Sequence, residues 1–293
     1  MKQMKTVVLV DSEEWVAPLI TALDERGLAP RLVNIRTLSW DAETDFTGWG
    51  LVVNRVSARP ELASGHPTAL LRRTQDLLMA LEIAGVPCVH GTRAYAVGSS
   101  KALQARCFHQ LGLATPATRF LMDGDLERSL SGLDTAQWLL KPNPGGFGAA
   151  IGTPGSPSAS AAFDLDGLAV LQKRIRPSQP LVFRAEFVGR ELAYVAASAL
   201  EDGETNYCLA RAGDEVRLSR ELAPAIQEAC LRILDLADMQ LGSVEYLIGD
   251  RGEPLFIDVN PVSSPHPGVR QQLGVDIWAM QAELIAATYN RLT

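Results

Sequence analysis

LFIDVNP, residues 255–261, is an apolar, strand-like run that carries two polar side chains, Asp258 and Asn260, two positions apart. Residues two apart in a β-strand point to the same face of the sheet. A carboxylate and an amide on one face of an apolar strand call for a partner. GSVEYLIG, residues 242–249, reads as a preceding strand, and DRGE, residues 250–253, as a four-residue hairpin turn between the two. In that register Gly249 pairs with Pro254, and Glu245 falls opposite Asp258. Directly opposed residues of an antiparallel pair share a face, with Cβ atoms roughly 5 Å apart. Two carboxylates that close repel, and one should have a raised pKa. A divalent cation removes the conflict. Mg2+ takes hard oxygen ligands, usually one or two carboxylates with phosphate oxygens completing its shell. Glu245, Asp258 and Asn260 are therefore candidate metal ligands. A one-residue change in the loop would break the pairing, because register decides the face. The local alternative is that Asp258 and Asn260 simply open a turn before Pro261.

Outward from this hairpin, the chain has 293 residues, enough for about two domains. It is 47% hydrophobic and 21% charged, as expected of a globular protein with a sizeable core. A net charge of −7 argues against a nucleic-acid-binding surface. Small anions remain admissible, because local groups hold them. The four cysteines are scattered, with no C-x-x-C and no zinc spacing. The start, MKQMKTVVLV, shows no signal-peptide pattern, so reduced thiols and a cytoplasmic location are expected. No apolar run is long enough to span a bilayer.

The first third alternates strand and helix. KTVVLVDS, PRLVNI, GLVVNR and VPCVH read as strands, and EEWVAPLITALDERG and HPTALLRRTQDLLMALEIAG as helices. That alternation predicts a parallel sheet with crossover helices. Neither G-x-G-x-x-G nor a P-loop motif is present. After about residue 97 the pattern changes. SSKALQARCFHQLG reads as a helix capped by Ser99 or Ser100. ATRFL and QWLLKP are short strands, and NPGGFGAAIGTPGSPSASA is a Gly-rich loop. LAVLQKRI, LVFRAEFVG, ELAYVAASAL and TNYCLA follow as successive strands, which suggests antiparallel pairing. Two amphipathic helices complete the chain.

Lys101 opens a helix, where the N-terminus attracts anions. Lys141 ends a strand that runs into Gly145, Gly146 and Gly148, whose backbone N–H groups can close over phosphates. A lone lysine is ordinarily a solvated surface residue. Two of them beside a Gly loop and a carboxylate pair form a candidate phosphate site. In LVFRAEFV, alternation puts Arg184 and Glu186 on one face. Arg184 is a candidate to face a phosphate, and Glu186 reads as half of a wet-face ion pair. Arg55 follows a buried strand, where α/β ligands bind, and is a candidate substrate clamp against the alternative of a surface arginine in a loop. The loops around Arg55 and Ser263 would build the substrate pocket. His266 is a weaker candidate for substrate contact. No nucleophile elbow or catalytic cysteine signature appears.

Together these residues resemble the ATP-grasp superfamily, nearest to the RimK-type branch and to relatives of glutathione synthetase and D-alanine–D-alanine ligase. The resemblance runs from about residue 91 to FIDVNP. It implies an N-terminal parallel α/β domain (residues 1–96), a small lid subdomain with the Gly-rich loop (97–172) and a C-terminal antiparallel-sheet subdomain with the metal site (173–293). It implies ATP and Mg2+ as cofactors, with Mn2+ as an alternative ion. Lys101 and Lys141 match the lysines on ATP phosphates, and Arg184 an arginine facing them. Gln172, Lys173 and Ile175 match the adenine hinge, and Asn206 an asparagine near the same site. Glu245, Asp258 and Asn260 match the metal ligands. The implied reaction is amide formation between small carboxylate and amine substrates through an acylphosphate. Neither nucleic acid nor membrane takes part, and assembly as a homo-oligomer is left open. Three departures stand out. Asp258 replaces the commoner Glu, Glu245 the commoner Asp, and Ala197, Ser198 and Ala199 stand where many relatives place an arginine, for which Arg211 is a candidate replacement. The last departure motivates an alternative, a degenerate nucleotide-binding module with a regulatory or assembly role. A further alternative is a ligase that modifies a protein or ribosomally made peptide.

Overall fold

Val7, Val8, Leu9 and Val10 are all fully buried, which happens only when both faces of a strand are covered. The computed structural model describes residues 5–145, 150–200 and 216–292. Its first sheet holds β1 (Lys5–Val10), β2 (Arg31–Asn34), β3 (Trp49–Asn54) and β4 (Cys88–Val89), in the order β2-β1-β3-β4 and wholly parallel. Val8 and Val10 enter a core with Leu19 and Leu23 of α1 (Ala17–Asp24). Val7 and Leu9 enter a separate core with Leu77, Leu78 and Leu81 of α2 (Ala69–Ile83). The alternation of strand side chains thus explains the unbroken apolar run.

Two helices follow in close succession, α3 (Thr92–Ser99) and α4 (Lys101–Gln110). Sequence reading found only the second. Ser100 caps it, its Oγ accepting from the Leu103 N–H at 3.3 Å, and Gly112 leaves it with φ of +68°. The second sheet is antiparallel, in the order β5-β7-β6, from β5 (Thr118–Met122), β6 (Trp138–Pro142) and β7 (Leu168–Lys173). One face packs Leu121, Leu140 and Leu171 against the segment of α6 (Pro157–Ser160); α5 (Leu126–Leu130) joins β5 to β6. β7 corresponds to LAVLQKRI. It lies between the other two strands of this sheet and not with the strands that follow it.

The third sheet runs β10-β9-β8-β11-β12, all antiparallel: β8 (Leu181–Val188), β9 (Glu191–Ala199), β10 (Val216–Ser219), β11 (Leu241–Ile248) and β12 (Pro254–Asn260). α7 (Pro224–Leu236) covers one face, where Ala185, Phe187, Val244 and Phe256 meet Cys230 and Ile233. The expected strand TNYCLA lies outside the described residues. α8 (Val269–Leu273) and α9 (Ile277–Leu292) close the chain. Ile285 of α9 packs in the same core as Val8 and Leu19, so the C-terminal helix returns to the first sheet.

Candidate functional site

Glu245 is paired with Asp258 across β11 and β12. The route to that pairing differs from the simple count. Ile248, not Gly249, pairs with Pro254, so the connecting loop is residues 249–253 and one residue longer. An even count from there would put Glu245 opposite Ile257. A β-bulge intervenes: Tyr246 pairs with Phe256, and Glu245 with Asp258, so Ile257 is the extra residue. The bulge restores the two acids to one face and re-aims Asp258.

The face of the third sheet opposite α7 carries two cross-strand rows. One reads Asn260, Ser243, Glu186, Tyr194, and the next Asp258, Glu245, Arg184, Ala196. Directly opposed residues share a face, so every polar group of the site stands on one platform. Asn260 Nδ2 donates to Glu245 Oε1 at 3.2 Å, and Arg184 Nη1 lies 3.8 Å from that same oxygen. Lys101, the first residue of α4, reaches the platform from above, its Nζ 2.5 Å from Asp258 Oδ1.

Backbone close to these groups fixes where they stand. Gln104 of α4 donates to the Val259 carbonyl at 3.0 Å. Asn143 bridges α4 to the end of β6. Its Oδ1 accepts from Ala102 N–H at 3.0 Å and Ser100 Oγ at 3.2 Å, and its carbonyl from Lys101 N–H at 3.2 Å. Sequence reading passed over Asn143, although it stands between Lys141 and the Gly loop. Two glycines admit Asn260 and Pro261. A Cβ on Gly98 would meet Pro261 Cγ at 2.4 Å, and one on Gly242 would meet the Asn260 carbonyl at 2.3 Å.

The electrostatics follow from burial. Glu245 is pushed up to about 7, first by loss of water and then by Asp258, against the pull of Arg184, Lys101 and Asn260. Burial also raises Glu186, while Arg184, Ser263 and Arg55 draw it back. Burial works against the Arg184 charge, but Glu186 and Glu245 outweigh it and the guanidinium is held charged. Two opposed carboxylates and an amide oxygen, one acid destabilised by the other, fit a divalent cation that takes oxygen ligands. Among the described residues no group of three or more His, Cys, Asp or Glu side chains is placed to hold a metal ion on its own. A cation at this platform would therefore draw its remaining ligands from a bound anion or water.

Lys101, Arg184, Glu245, Asp258 and Asn260 line a cleft of about 510 Å³. Gly145 stands beside them, and a Cβ there would lie 3.7 Å from Lys101 Cε. The facing wall comes from the carboxyl ends of β1 and β3, with Asp11, Trp15, Ser57 and Arg59. Such strand ends are where open α/β sheets hold ligands.

Several expected residues stand elsewhere. Arg55 is fully buried; it stacks 4.8 Å over the Trp15 ring and donates from Nη2 to the Ser263 carbonyl at 3.0 Å. It supports the cleft wall from behind, so it cannot clamp a substrate directly, and Arg59 is the arginine of that segment that lines the cleft. Ser263 lines the cleft, yet its hydroxyl donates to Glu186 Oε1. Glu186 is wholly buried, which overturns its reading as a wet-face ion pair. The only sequence signal for this was its place two residues from Arg184. Lys141 Nζ donates to Gln172 Oε1 at 2.8 Å, and Gln172 Nε2 to Thr118 Oγ1 at 3.1 Å, on one face of the second sheet. Ile175 packs with Leu139, Val182 and Leu247 in an apolar seam between the second and third sheets. Lys173 is exposed and lines a separate groove of about 650 Å³ with Ile175 and Asp250. The His266 N–H donates to Tyr194 Oη at 3.1 Å, and His266 Nδ1 accepts from Gly268, so this histidine shapes its own loop. Gly146, Gly148, Asn206 and Arg211 lie outside the described residues.

No family model and no curated protein sequence matches the chain. Solved structures do. A RimK-domain ATP-grasp protein from Sphaerobacter thermophilus superimposes with a TM-score of 0.69 at 17% identity, over 96% of this chain and 98% of that one. The VanG D-Ala:D-Ser ligase from Enterococcus faecalis gives 0.69 at 16% identity, over 98% and 100%. The ATP-grasp ligase PsnB, complexed with a phosphomimetic variant of its minimal precursor, Mg and ADP, gives 0.67 at 17% identity, over 98% and 100%. The chain has the ATP-grasp fold.

Proposed function

We propose that the protein is an ATP- and Mg2+-dependent ligase that joins a carboxylate to an amine. The observation that carries this reading is the pairing of Glu245 with Asp258 across a bulged hairpin, under Lys101 and beside Arg184. The fold shared with VanG and PsnB supports it, as does the magnesium and ADP in the PsnB complex.

In this reading a substrate carboxylate oxygen attacks the γ-phosphorus, the bond to ADP breaks, and an acylphosphate forms. An amine nitrogen then attacks the acyl carbon, phosphate leaves, and the nitrogen gives up a proton. Such chemistry needs positioning and charge neutralisation more than covalent help. Glu245, Asp258 and Asn260 would hold Mg2+, which supplies positive charge against the transferring phosphoryl group. Lys101 and Arg184 add fixed cations at the cleft. Lys141 would serve the phosphates from the second sheet. Gln172, Lys173 and Ile175 would flank the base, with Leu139 and Leu247 packed behind Ile175. Gly145 lines the cleft beside Lys101, and the sequence that follows it, GFG (residues 146–148), is the candidate to cover the phosphates and keep water from the acylphosphate. Asp11, Trp15, Ser57 and Arg59 would face the carbon substrates.

The test is incubation with ATP, Mg2+ and pools of amino acids, reading phosphate release and new amide masses. Failure of the wild-type protein to bind ATP or Mg2+-ADP would sink the reading. Binding without ADP formation, with every pool and partner offered, would favour a regulatory nucleotide module. A second reading moves the acceptor to a peptide. It is supported by the likeness to PsnB, also solved with its precursor peptide PsnA2. Mass shifts on a co-expressed peptide, absent with free amino acids, would decide for it.

A further inference from the structure

A carboxylate with no exposed surface is costly unless its neighbours hold it, and Glu186 is such a group, 0% exposed on β8. Its Oε1 accepts from Ser263 Oγ. Among the described residues its Oε2 has no hydrogen-bond partner, and it lies 3.8 Å from Arg184 Nε, which is also buried without one. Arg55, from the end of β3, holds the Ser263 carbonyl and adds a second guanidinium to the field at Glu186. One line of contacts thus runs from the first sheet to the platform: Arg55, Ser263, Glu186, Arg184, Glu245. Arginine is a long, mobile side chain. Here its Nε edge faces Glu186 and its Nη1 lies 3.8 Å from Glu245. The exposed remainder, 18% of the side chain, opens into the cleft.

We propose that Glu186 is a positioning residue for Arg184. It holds the Nε edge of the guanidinium so that the opposite edge meets the anion in the cleft, and Ser263 and Arg55 hold Glu186. The inference rests on the reading that the cleft takes nucleotide phosphates. Its consequence is counterintuitive. Removing a negative charge beside a polyphosphate site should by itself tighten binding. If Glu186 acts by position, its neutral isostere weakens binding instead.

The experiment is calorimetric titration with Mg2+-ADP of the wild-type protein, Glu186→Gln, Arg184→Met and the double variant. The expected result is a loss of about tenfold or more for Glu186→Gln. In the double variant the affinity should equal that of Arg184→Met alone, because a positioning residue has nothing left to position. Unchanged or tighter binding by Glu186→Gln overturns the proposal, and so does a full additive loss in the double variant. Should Glu186→Gln fail to fold, Ser263→Ala removes the Oε1 hydrogen bond and leaves every charge in place. It should cost several-fold in affinity, and nothing once Arg184 is Met; any other pattern counts against the proposal. Absence of binding by the wild-type protein would overturn the nucleotide reading, and this inference with it.

Discussion

Lys101 Nζ lies 2.5 Å from Asp258 Oδ1, joining the first residue of α4 to the strand that carries the candidate metal ligands. Each side chain is 22% exposed, so the pair sits at the cleft mouth and not in the core. In the proposed reaction each member has another task, the lysine with phosphate and the aspartate with a cation. Without ligand they satisfy one another. A helix N-terminus is an unfavourable place for a cation unless an anion compensates it, and Asp258 does so.

A free divalent ion must therefore compete with the Lys101 ammonium for Asp258. Lys101→Met should tighten Mn2+ binding to the nucleotide-free protein, by about fivefold if the pair contributes ~1 kcal/mol. The same variant should weaken Mg2+-nucleotide binding, because a phosphate partner is lost. Mn2+ titration followed by electron paramagnetic resonance reads the first effect and calorimetry the second. Weaker Mn2+ binding by Lys101→Met would show that the lysine does not guard the site.

Asp258→Asn keeps the shape of the side chain and removes its charge. It should lower Mg2+-dependent ADP formation by at least about 100-fold. The melting temperature should change little, since Asp258 is a half-buried group at a cleft and no core contact is lost. A variant that retains activity would return Asp258 and Asn260 to the role of turn formers ahead of Pro261.

The platform was legible in part because strand alternation is a strong signal. DVN and FRAEF each put their polar residues on one face, and the structure keeps both faces. The Glu245–Asp258 pairing was reached through a loop one residue too short, which an unseen bulge at Ile257 offset. Bulges leave no mark in an apolar run, so that agreement was partly fortunate. Arg55 and Glu186 were misplaced for a common reason. Charged residues are read as solvent-facing by default, and nothing local reveals that the segment around Ser263, 208 residues from Arg55 and 77 from Glu186, covers them. Asn143 was passed over because its partners, Ser100 to Ala102, are distant in sequence.

Glu245 gives the site a pH dependence. Its folded value, about 7, lies above the ordinary 4.5. The folded state therefore binds a proton that the unfolded state releases between those values. This group's contribution to stability is fully present below about 4.5 and is lost as pH rises through 7, on the order of 3 kcal/mol in all. Glu245→Gln should remove that decline, seen as a flatter profile of urea midpoint against pH from 4.5 to 7. Metal affinity should run the opposite way, rising through pH 7 as the carboxylate ionises. A wild-type Mn2+ affinity that is flat between pH 6 and 8 would show that Glu245 does not bind the ion as a carboxylate.

Gly242 offers a test of how tightly the platform is built. Its φ is +124°, and a Cβ there would meet the Asn260 carbonyl at 2.3 Å and Pro261 Cα at 3.1 Å. Backbone cannot swing aside as a side-chain end can. Gly242→Ala should therefore cost about 2–4 kcal/mol, combining strain with a steric push on β12. Gly252, in the hairpin loop, provides the comparison. It also has a positive φ, +81°, but a Cβ there meets nothing within 4 Å. Gly252→Ala should cost only the conformational strain, about 1 kcal/mol. The difference between the two variants reads the clash with the backbone of Asn260 and Pro261, together with the movable end of the Met239 side chain. Only Gly242→Ala should also weaken Mg2+-ADP binding, because its Cβ displaces the backbone of a candidate ligand. Equal losses of stability, with nucleotide affinity intact in both, would mean that β12 yields freely and that Asn260 need not stand where it does.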